Sequence, residues 1–559
     1  MTTLKLPLTR SLPTSSHSVP ISLDKYLTRE GHHLVVTYLK FNKVQKDIQE
    51  GKLNNLEEKD IDDLLGSYKG GPSHCFNNLN YDNLNLTRNE LKVLAKILKA
   101  DKLSNVRTLR ICRNNLHGGI LKTIIDVLSN NNTVEVLDLS FNAIRDADAK
   151  DFSRLLKKNK VLREIAIGHN RITAKGAQSI AKALKVNNSL VRLNIEANRL
   201  DIAGAAAIAD IVAYNNSLKF LHIGGNNIQA GGMAAISEAL KSNKILCSLS
   251  LDCNNIGSEG AFHLGEALKA NSTLTHLYVS RNDIGNDGLQ YLSIAMLSNR
   301  SLIYVDLELN CIGKNGNMNG VKALADLFDR HTVPRAINLK FNPIGDIGCQ
   351  SLASGLYRNM TLESIILSSC DIGLQGIRAL CDSLKENKGL QNISLSRNWV
   401  MGADGHQAVA EALEENTMLK RVQLDYDFEE WERISESIDK SLLRNHFLQA
   451  EKYSTACRLL VLSRLVIHAT GKLREQKSHR VTEFLDLPFE LKRNIMYALD
   501  TTNVLTNDNC KKILRLGSRR DNFNISKEGF LKAVFDVYYP NNAGTPLWPT
   551  GAFDTFVRV

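Results

Sequence analysis

The twelve residues from Leu274 to Gly285, LTHLYVSRNDIG, decide the fold. Leu277 and Val279 alternate with His276, Tyr278 and Ser280, the period-two pattern of a short strand with one buried face. Asn282 follows, then Ile284 and Gly285. The same arrangement recurs along the chain: Asn114, Asn142, Asn170, Asn198, Asn226, Asn254, Asn282 and Asn310 are each 28 residues apart. A step of 32 leads to Asn342, and two further steps of 28 reach Cys370 and Asn398. An unbroken series of identical intervals is the signature of a repeat array.

Each interval carries a complete coil. Apolar pairs such as Leu137 and Leu139, or Leu249 and Leu251, sit five and three positions before the Asn, and Ile172, Ile228, Ile256 and Ile284 sit two after it. Six after it stands Gly176, Gly204, Gly232, Gly260, Gly288, Gly348 or Gly376, followed by apolar residues at helical spacing such as Ala261, Leu264, Ala267 and Leu268. Seventeen after it a second Asn recurs, including Asn159, Asn187 and Asn215. Because Asn tolerates the left-handed conformation that closes a helix, this second Asn reads as the helix stop. A strand, a turn, a helix and a return cannot bury their apolar face alone, so neighbouring coils must supply the cover. The first Asn can both donate and accept, and so can satisfy backbone groups at the strand's end that would each cost about 1–3 kcal/mol if left unpaired. The ladder Asn residues are therefore read as structural.

The pattern, LxxLxLxxNxIGxxGAxxLAxALxxN, resembles the ribonuclease-inhibitor class of leucine-rich repeats over about 340 residues. That resemblance implies an α/β fold, a right-handed solenoid or horseshoe with a parallel inner sheet and outer helices. It also implies a non-enzymatic scaffold that binds a protein on its concave face. The segment Leu79 to Leu98 reads as an imperfect first coil with Leu84 near the ladder position, and Cys370 stands in place of a ladder Asn. The extra residues of the 32-step fall at Lys314 to Gly320 (KNGNMNG), a polar loop that should protrude. The expected organisation is a disordered tail over 1–23, an N-terminal cap over 24–78, repeats over 79–427, a closing helix over 428–450 and a C-terminal helical region over 451–559. The tail has no acid, two bases and many Ser, Thr and Pro, and its alternative is a weak organelle-targeting peptide.

Strand residues two, four and six before each ladder Asn should line the concave face. This rule gives Asp138, Glu196, Asp252, Tyr278, Tyr304, Asp306 and Glu308 as partner-binding candidates, with Phe220, His222 and His276 nearby. Asp252, Asp306 and Glu308 are expected to form an acidic patch beside aromatics, the composition from which specific interfaces gain affinity.

The C-terminal region is different in kind. Leu487-Pro488-Phe-Glu490-Leu491, followed by Ile495 and Leu499, resembles the core of an F-box, in which a proline opens a helix that docks a cullin-ligase adaptor. The combination resembles fungal proteins that join such repeats to a C-terminal box-like segment. On that resemblance Leu487, Pro488, Leu491 and Ile495 would bind a ubiquitin-ligase adaptor, making the chain a substrate adaptor through residues 483–500. The alternative is a helical cap with Leu487, Leu491, Ile495 and Leu499 in its core. The Ran GTPase-activating proteins also share the repeat, so regulation of a small GTPase is a further alternative. Their acidic tail has no counterpart, because residues 451–559 carry 17 bases and 11 acids.

Composition narrows the remaining classes. Of 559 residues, 43% are hydrophobic, but no apolar run reaches the roughly 18 needed to cross a bilayer, so no membrane partner is expected. The net charge of +11 sits at the ends, because residues 101–450 hold 39 bases and 37 acids. A nucleic-acid reader would concentrate charge along its binding surface, so nucleic acid is the minor expectation. Ten cysteines lack CxxC or zinc spacing, which points to reduced thiols in cytosol or nucleus and to no metal. No HExxH, GxSxG, GxxxxGK[ST] or GxGxxG motif occurs, and His169, His222 and His276 fall on different coils, so no catalytic residue and no cofactor are expected.

Overall fold

The computed structural model describes residues 78–86, 88–99, 106–330, 334–398, 402–425 and 433–445. Residues 1–77, the parts 428–432 and 446–450 of the expected closing helix, and all of 451–559 with Leu487, Pro488, Leu491 and Ile495 lie outside the described residues. Two compact units divide the chain between Asn282 and Asp283.

In the first unit eight strands alternate with seven helices among the described residues: β1 (Asn78–Asn80), α1 (Arg88–Lys99), β2 (Thr108–Arg110), α2 (Gly118–Leu128), β3 (Val136–Asp138), α3 (Asp146–Lys158), β4 (Glu164–Ala166), α4 (Ala174–Leu184), β5 (Arg192–Asn194), α5 (Asp201–Tyr214), β6 (Phe220–His222), α6 (Gln229–Ser242), β7 (Ser248–Ser250), α7 (Gly257–Ala270) and β8 (His276–Tyr278). Every strand is parallel to the next, and Leu137, Ile165, Leu193, Leu221, Leu249 and Leu277 stand in one register. The second unit holds α8 (Gly285–Met296), β9 (Tyr304–Asp306), α9 (Asn319–Asp329), β10 (Ala336–Asn338), α10 (Gly345–Leu356), β11 (Ser364–Ile366), α11 (Leu374–Glu386), β12 (Asn392–Ser394), α12 (Gly402–Glu415) and β13 (Arg421–Gln423), and residues 433–445 are helical. There Val305, Ile337, Ile365, Ile393 and Val422 share the register. The 32-residue step leaves that register intact because its extra residues form an exposed single turn at Lys314–Gly316.

The period-two reading holds in the burial pattern. The central residue is buried from β1 to β12, as with Leu137 and Leu221, and half-buried at Val422 of β13; its neighbours on the other face are half-exposed in β3, β4, β5, β6, β8 and β11 and buried in β7. Consecutive helices within each unit pack on one another and contribute Phe152, Ile180, Ile208 and Leu264 to the buried layer. Burying one such side chain contributes about 1.5–3 kcal/mol. The Gly six after the ladder Asn is explained by this packing: a Cβ on Gly176 would lie 2.6 Å from Asp146 Oδ1 and from a methyl of Ile172.

The ladder Asn residues bridge neighbouring coils. Asn142 Nδ2 donates to the carbonyls of Ile111 and Leu139, both at 2.9 Å, and its Oδ1 accepts the N–H groups of Asn114 and Leu116, both at 3.0 Å. The N–H groups of Leu84 and Leu86 meet Asn114 in the same way, so the first coil joins the ladder without an Asn of its own.

The second Asn corrects the sequence reading. Asn159, Asn215, Asn243, Asn271 and Asn387 do end helices, but with extended backbone, as at φ −73° and ψ 132° for Asn159. Their side chains form a second ladder. Asn159 Nδ2 donates to Leu128 O at 2.7 Å and Asn131 O at 3.0 Å, while its Oδ1 accepts the N–H groups of Val161 and Leu162. Left-handed backbone instead flanks the ladder Asn, just before it at Phe141 (φ 58°), His169 (φ 53°) and Cys253 (φ 55°) and just after it at Asn115 (φ 53°), Asn227 (φ 55°) and Asn255 (φ 55°). His169 therefore belongs to the turn after β4 and not to the strand.

Cys370 fills its ladder position incompletely. Its Sγ donates to Leu339 O at 3.2 Å, and its N–H reaches Asn398 Oδ1 at 3.0 Å. The coil before it finds only sulfur where an amide oxygen stands elsewhere. The Asn342 N–H faces the thiol, and the Ile344 N–H turns to Asn342 O at 2.7 Å. Burial pushes the Cys370 thiol up to about 12, so it stays protonated and a weak acceptor. Cys370→Asn should therefore raise the unfolding free energy by about 1–2 kcal/mol, read as a higher urea midpoint at constant slope. A lower midpoint would contradict this account of the ladder.

Candidate functional site

Among the described residues no element covers the half-exposed face of the strands, while the helices take the other face. In the first unit Asp138, Ala166, Asn194, His222, Ser250 and Tyr278 form one transverse row, because they stand in register on β3 to β8. Asp138 lies 3.6 Å from Arg110 Nη2, and its Oδ1 accepts the Ser140 N–H at 3.0 Å. Glu196 is 3.8 Å from His169 Nε2. Asp252 is tied inward: Oδ1 accepts the N–H and the hydroxyl of Ser280, each at 2.8 Å, and Oδ2 accepts the Ser250 hydroxyl at 2.8 Å.

Burial, then Arg192, hold His222 below the ordinary imidazole range, and burial alone does the same for His276. Neither ring adds positive charge to the face at neutral pH. Phe220 lies beneath Arg192, whose guanidinium carbon is 4.0 Å from the ring centre.

The second unit places Tyr304, Asp306 and Glu308 in one network. Tyr304 is only 5% exposed, and its hydroxyl donates to Asp306 Oδ2 at 3.1 Å. Asp306 Oδ1 accepts the Glu308 N–H and the Asn338 amide, both at 3.0 Å, and Asn338 Nδ2 also reaches Glu308 Oε2 at 3.2 Å. Asp306 thus holds backbone in place, whereas Glu308 faces Lys340 Nζ at 4.0 Å. Asp252 lies in the first unit and Asp306 with Glu308 in the second.

The sequence reading passed over several face residues. Arg110, Glu164, Arg192 and Asn194 satisfy the same spacing rule as Asp138 but were not singled out. A stacked set at the turn edge was also missed: Arg113 lies 4.8 Å over Phe141, whose ring stacks on His169 at 3.9 Å. Among the described residues no group of His, Cys, Asp and Glu could hold a metal ion, the seven described cysteines are free, and no helix is long and apolar enough to cross a membrane.

Seven stretches match the family model for "Leucine Rich repeat": residues 130–153, 158–181, 214–237, 242–265, 270–293, 335–353 and 358–381. The matched coils are leucine-rich repeats. Each matched stretch of the first unit runs from near a second-ladder Asn, through a strand and the first ladder Asn, into the following helix. The repeats around β5, β9 and β12 fall outside the matched stretches, yet they keep the register of their neighbours. No curated protein matches the chain. Among solved structures, an internalin (inlF) of Listeria monocytogenes aligns at 14% identity and TM-score 0.36, over 68% of this chain and 89% of that one. The leiomodin-1 actin-binding site 2 aligns at 15% identity and TM-score 0.21, over 40% and 95%.

Proposed function

We propose that the chain is a non-enzymatic scaffold whose leucine-rich repeats bind a protein through the open strand face. Leucine-rich repeats generally act as protein-interaction scaffolds, and the reading rests on one observation: the face is uncovered and carries half-exposed charged and aromatic side chains in ordered rows. Those side chains stand on strands fixed from both ends by asparagine ladders. A preorganised surface loses little entropy on binding. The two finer alternatives, adaptor docking through residues 483–500 and regulation of a small GTPase, rest on sequence resemblance alone, and we favour the scaffold.

The test is affinity capture with the full chain. Glu196 and Glu308 are the informative positions, since Asp252 and Asp306 also hold backbone N–H groups. Glu196→Lys should leave the melting curve unchanged, and Glu308→Lys, which gives up the Asn338 and Lys340 contacts, should lower the midpoint only slightly. At least one should reduce recovery of a stoichiometric partner about tenfold or more, as expected when an interfacial charge is reversed. Full recovery with both variants together would overturn the reading.

A further inference from the structure

The charge of the first unit is unevenly placed. From two residues before the second-ladder Asn to one after it, the coils of Asn159, Asn187, Asn215, Asn243 and Asn271 read KKNK, KVNN, AYNN, KSNK and KANS. These return loops carry seven lysines and no carboxylate. The second ladder lines them up as one ridge. Asn187 Nδ2 donates to Asn159 O at 3.4 Å, Asn215 Nδ2 to Asn187 O at 2.9 Å, Asn243 Nδ2 to Val212 O at 2.7 Å and Asn271 Nδ2 to Asn243 O at 3.1 Å.

Part of this charge serves the fold. Lys157, Lys158, Lys241 and Lys269 lie in last helical turns, where a cation complements the helix dipole. Lys185, Lys241 and Lys269 also have carboxylates beside them, Asp210 at 3.0 Å, Glu238 at 2.6 Å and Glu266 at 2.5 Å. Lys160 and Lys244 are different: they are exposed and stand past the ends of their helices. Together with Lys157 and Lys158 they have no ion-pair partner among the described residues. Between these lysines the ridge is apolar. Val186 and Tyr214, each just before its Asn on neighbouring coils, are 56% and 58% exposed. Lys185 Nζ lies 4.5 Å from the centre of the Tyr214 ring, so cation and ring are presented together.

That pattern selects among anionic partners. Nucleic acid is read by forked guanidiniums and by rings free to stack. The ridge's cations are all lysines, and its one ring already holds a cation. A protein segment gains affinity where apolar side chains seat in pockets, whereas here Val186 and Tyr214 are the exposed parts. Lysines around an exposed tyrosine and an aliphatic group suit the headgroup region of an anionic bilayer. The cations meet the charged headgroups while the apolar groups reach the acyl boundary. Contact of this kind needs no spanning run.

We propose that the return-loop ridge of the first unit docks on the surface of an anionic lipid bilayer. It is a different surface from the strand face, so either reading can fail alone.

The full chain is sedimented with vesicles of phosphatidylcholine, alone or in equal parts with phosphatidylserine. Partitioning should be at least tenfold stronger on the anionic vesicles, and the difference should shrink as salt rises. Lys157→Gln, Lys158→Gln and Lys160→Gln made together should reduce it at least tenfold, since each lysine near such a surface adds a severalfold gain. Lys160→Gln with Lys244→Gln, both outside the helices, should reduce it about fivefold or more and serves if the triple variant disturbs α3. Tyr214→Ser should weaken it about threefold with every charge retained. Equal partitioning on both vesicles, none on either, partitioning unchanged in the charge variants, or binding of polyglutamate or oligothymidylate in place of the anionic vesicles would each overturn the proposal.

Discussion

Asn254→Ala is expected to lower the unfolding free energy by about 3–5 kcal/mol, a large share of the margin that holds a protein folded. Asn254 is fully buried. Its Nδ2 donates to Ile223 O at 3.0 Å and Leu251 O at 2.8 Å, and its Oδ1 accepts the N–H groups of Asn226 at 3.0 Å and Ile228 at 3.4 Å. Alanine removes every one of these partners at once and leaves the backbone groups of two coils in a site where each unpaired one costs about 1–3 kcal/mol. The total falls short of the simple sum because water can enter the space left by the amide. Urea unfolding followed by far-ultraviolet circular dichroism measures the loss. Because repeat arrays can lose cooperativity, a broadened transition counts with a lowered midpoint. A change below about 1 kcal/mol would contradict the role assigned to the ladder.

Gly355→Ala should also destabilise, by about 3 kcal/mol, although helix propensity favours alanine over glycine by about 1 kcal/mol. Gly355 lies in α10, and a Cβ there would stand 2.2 Å from Ala325 O and 2.9 Å from Ala325 Cα in α9. The obstacle is backbone, so no rotamer change relieves it, and the two helices must move apart. Gly231 in α6 is the control. A Cβ there would meet only the Ile202 side chain, at 3.6 and 3.9 Å, which is ordinary contact. Gly231→Ala should therefore stabilise by about 0.5–1 kcal/mol. Urea midpoints that move in the same direction for both variants would show that close helix packing does not govern Gly355.

The strand, the turn and the helix of each coil were legible because their physical demands recur every 28 residues. A buried alternation, a side chain able to donate and accept, and a glycine against the preceding coil each leave a mark at a fixed offset. The second Asn was legible as a position but misread as a mechanism. Left-handed backbone and an extended backbone with a bridging side chain both favour Asn, and only the dihedral angles of Asn159 and Asn215 separate them. A further device went unread. Asp146 and Asp346, four after a ladder Asn, accept N–H groups at the start of the next coil's helix, Gly176 at 3.0 Å and Gly376 at 2.7 Å. Asn286, at the same offset, accepts the N–H of Gly313 at 2.9 Å, just before the exposed turn at Lys314–Gly316, so the signal was present in the spacing. The face was half legible. Spacing identified which residues point outward, but choosing acids and aromatics among them overlooked Arg110 and Arg192.

Amide hydrogen exchange on the full chain, compared with Asn254→Ala, tests most directly the claim that buried asparagines bind each coil to the next. The account predicts that the N–H groups of Asn226 and Ile228, which donate to Asn254, exchange at least tenfold faster in the variant. Unchanged protection at both positions would contradict it.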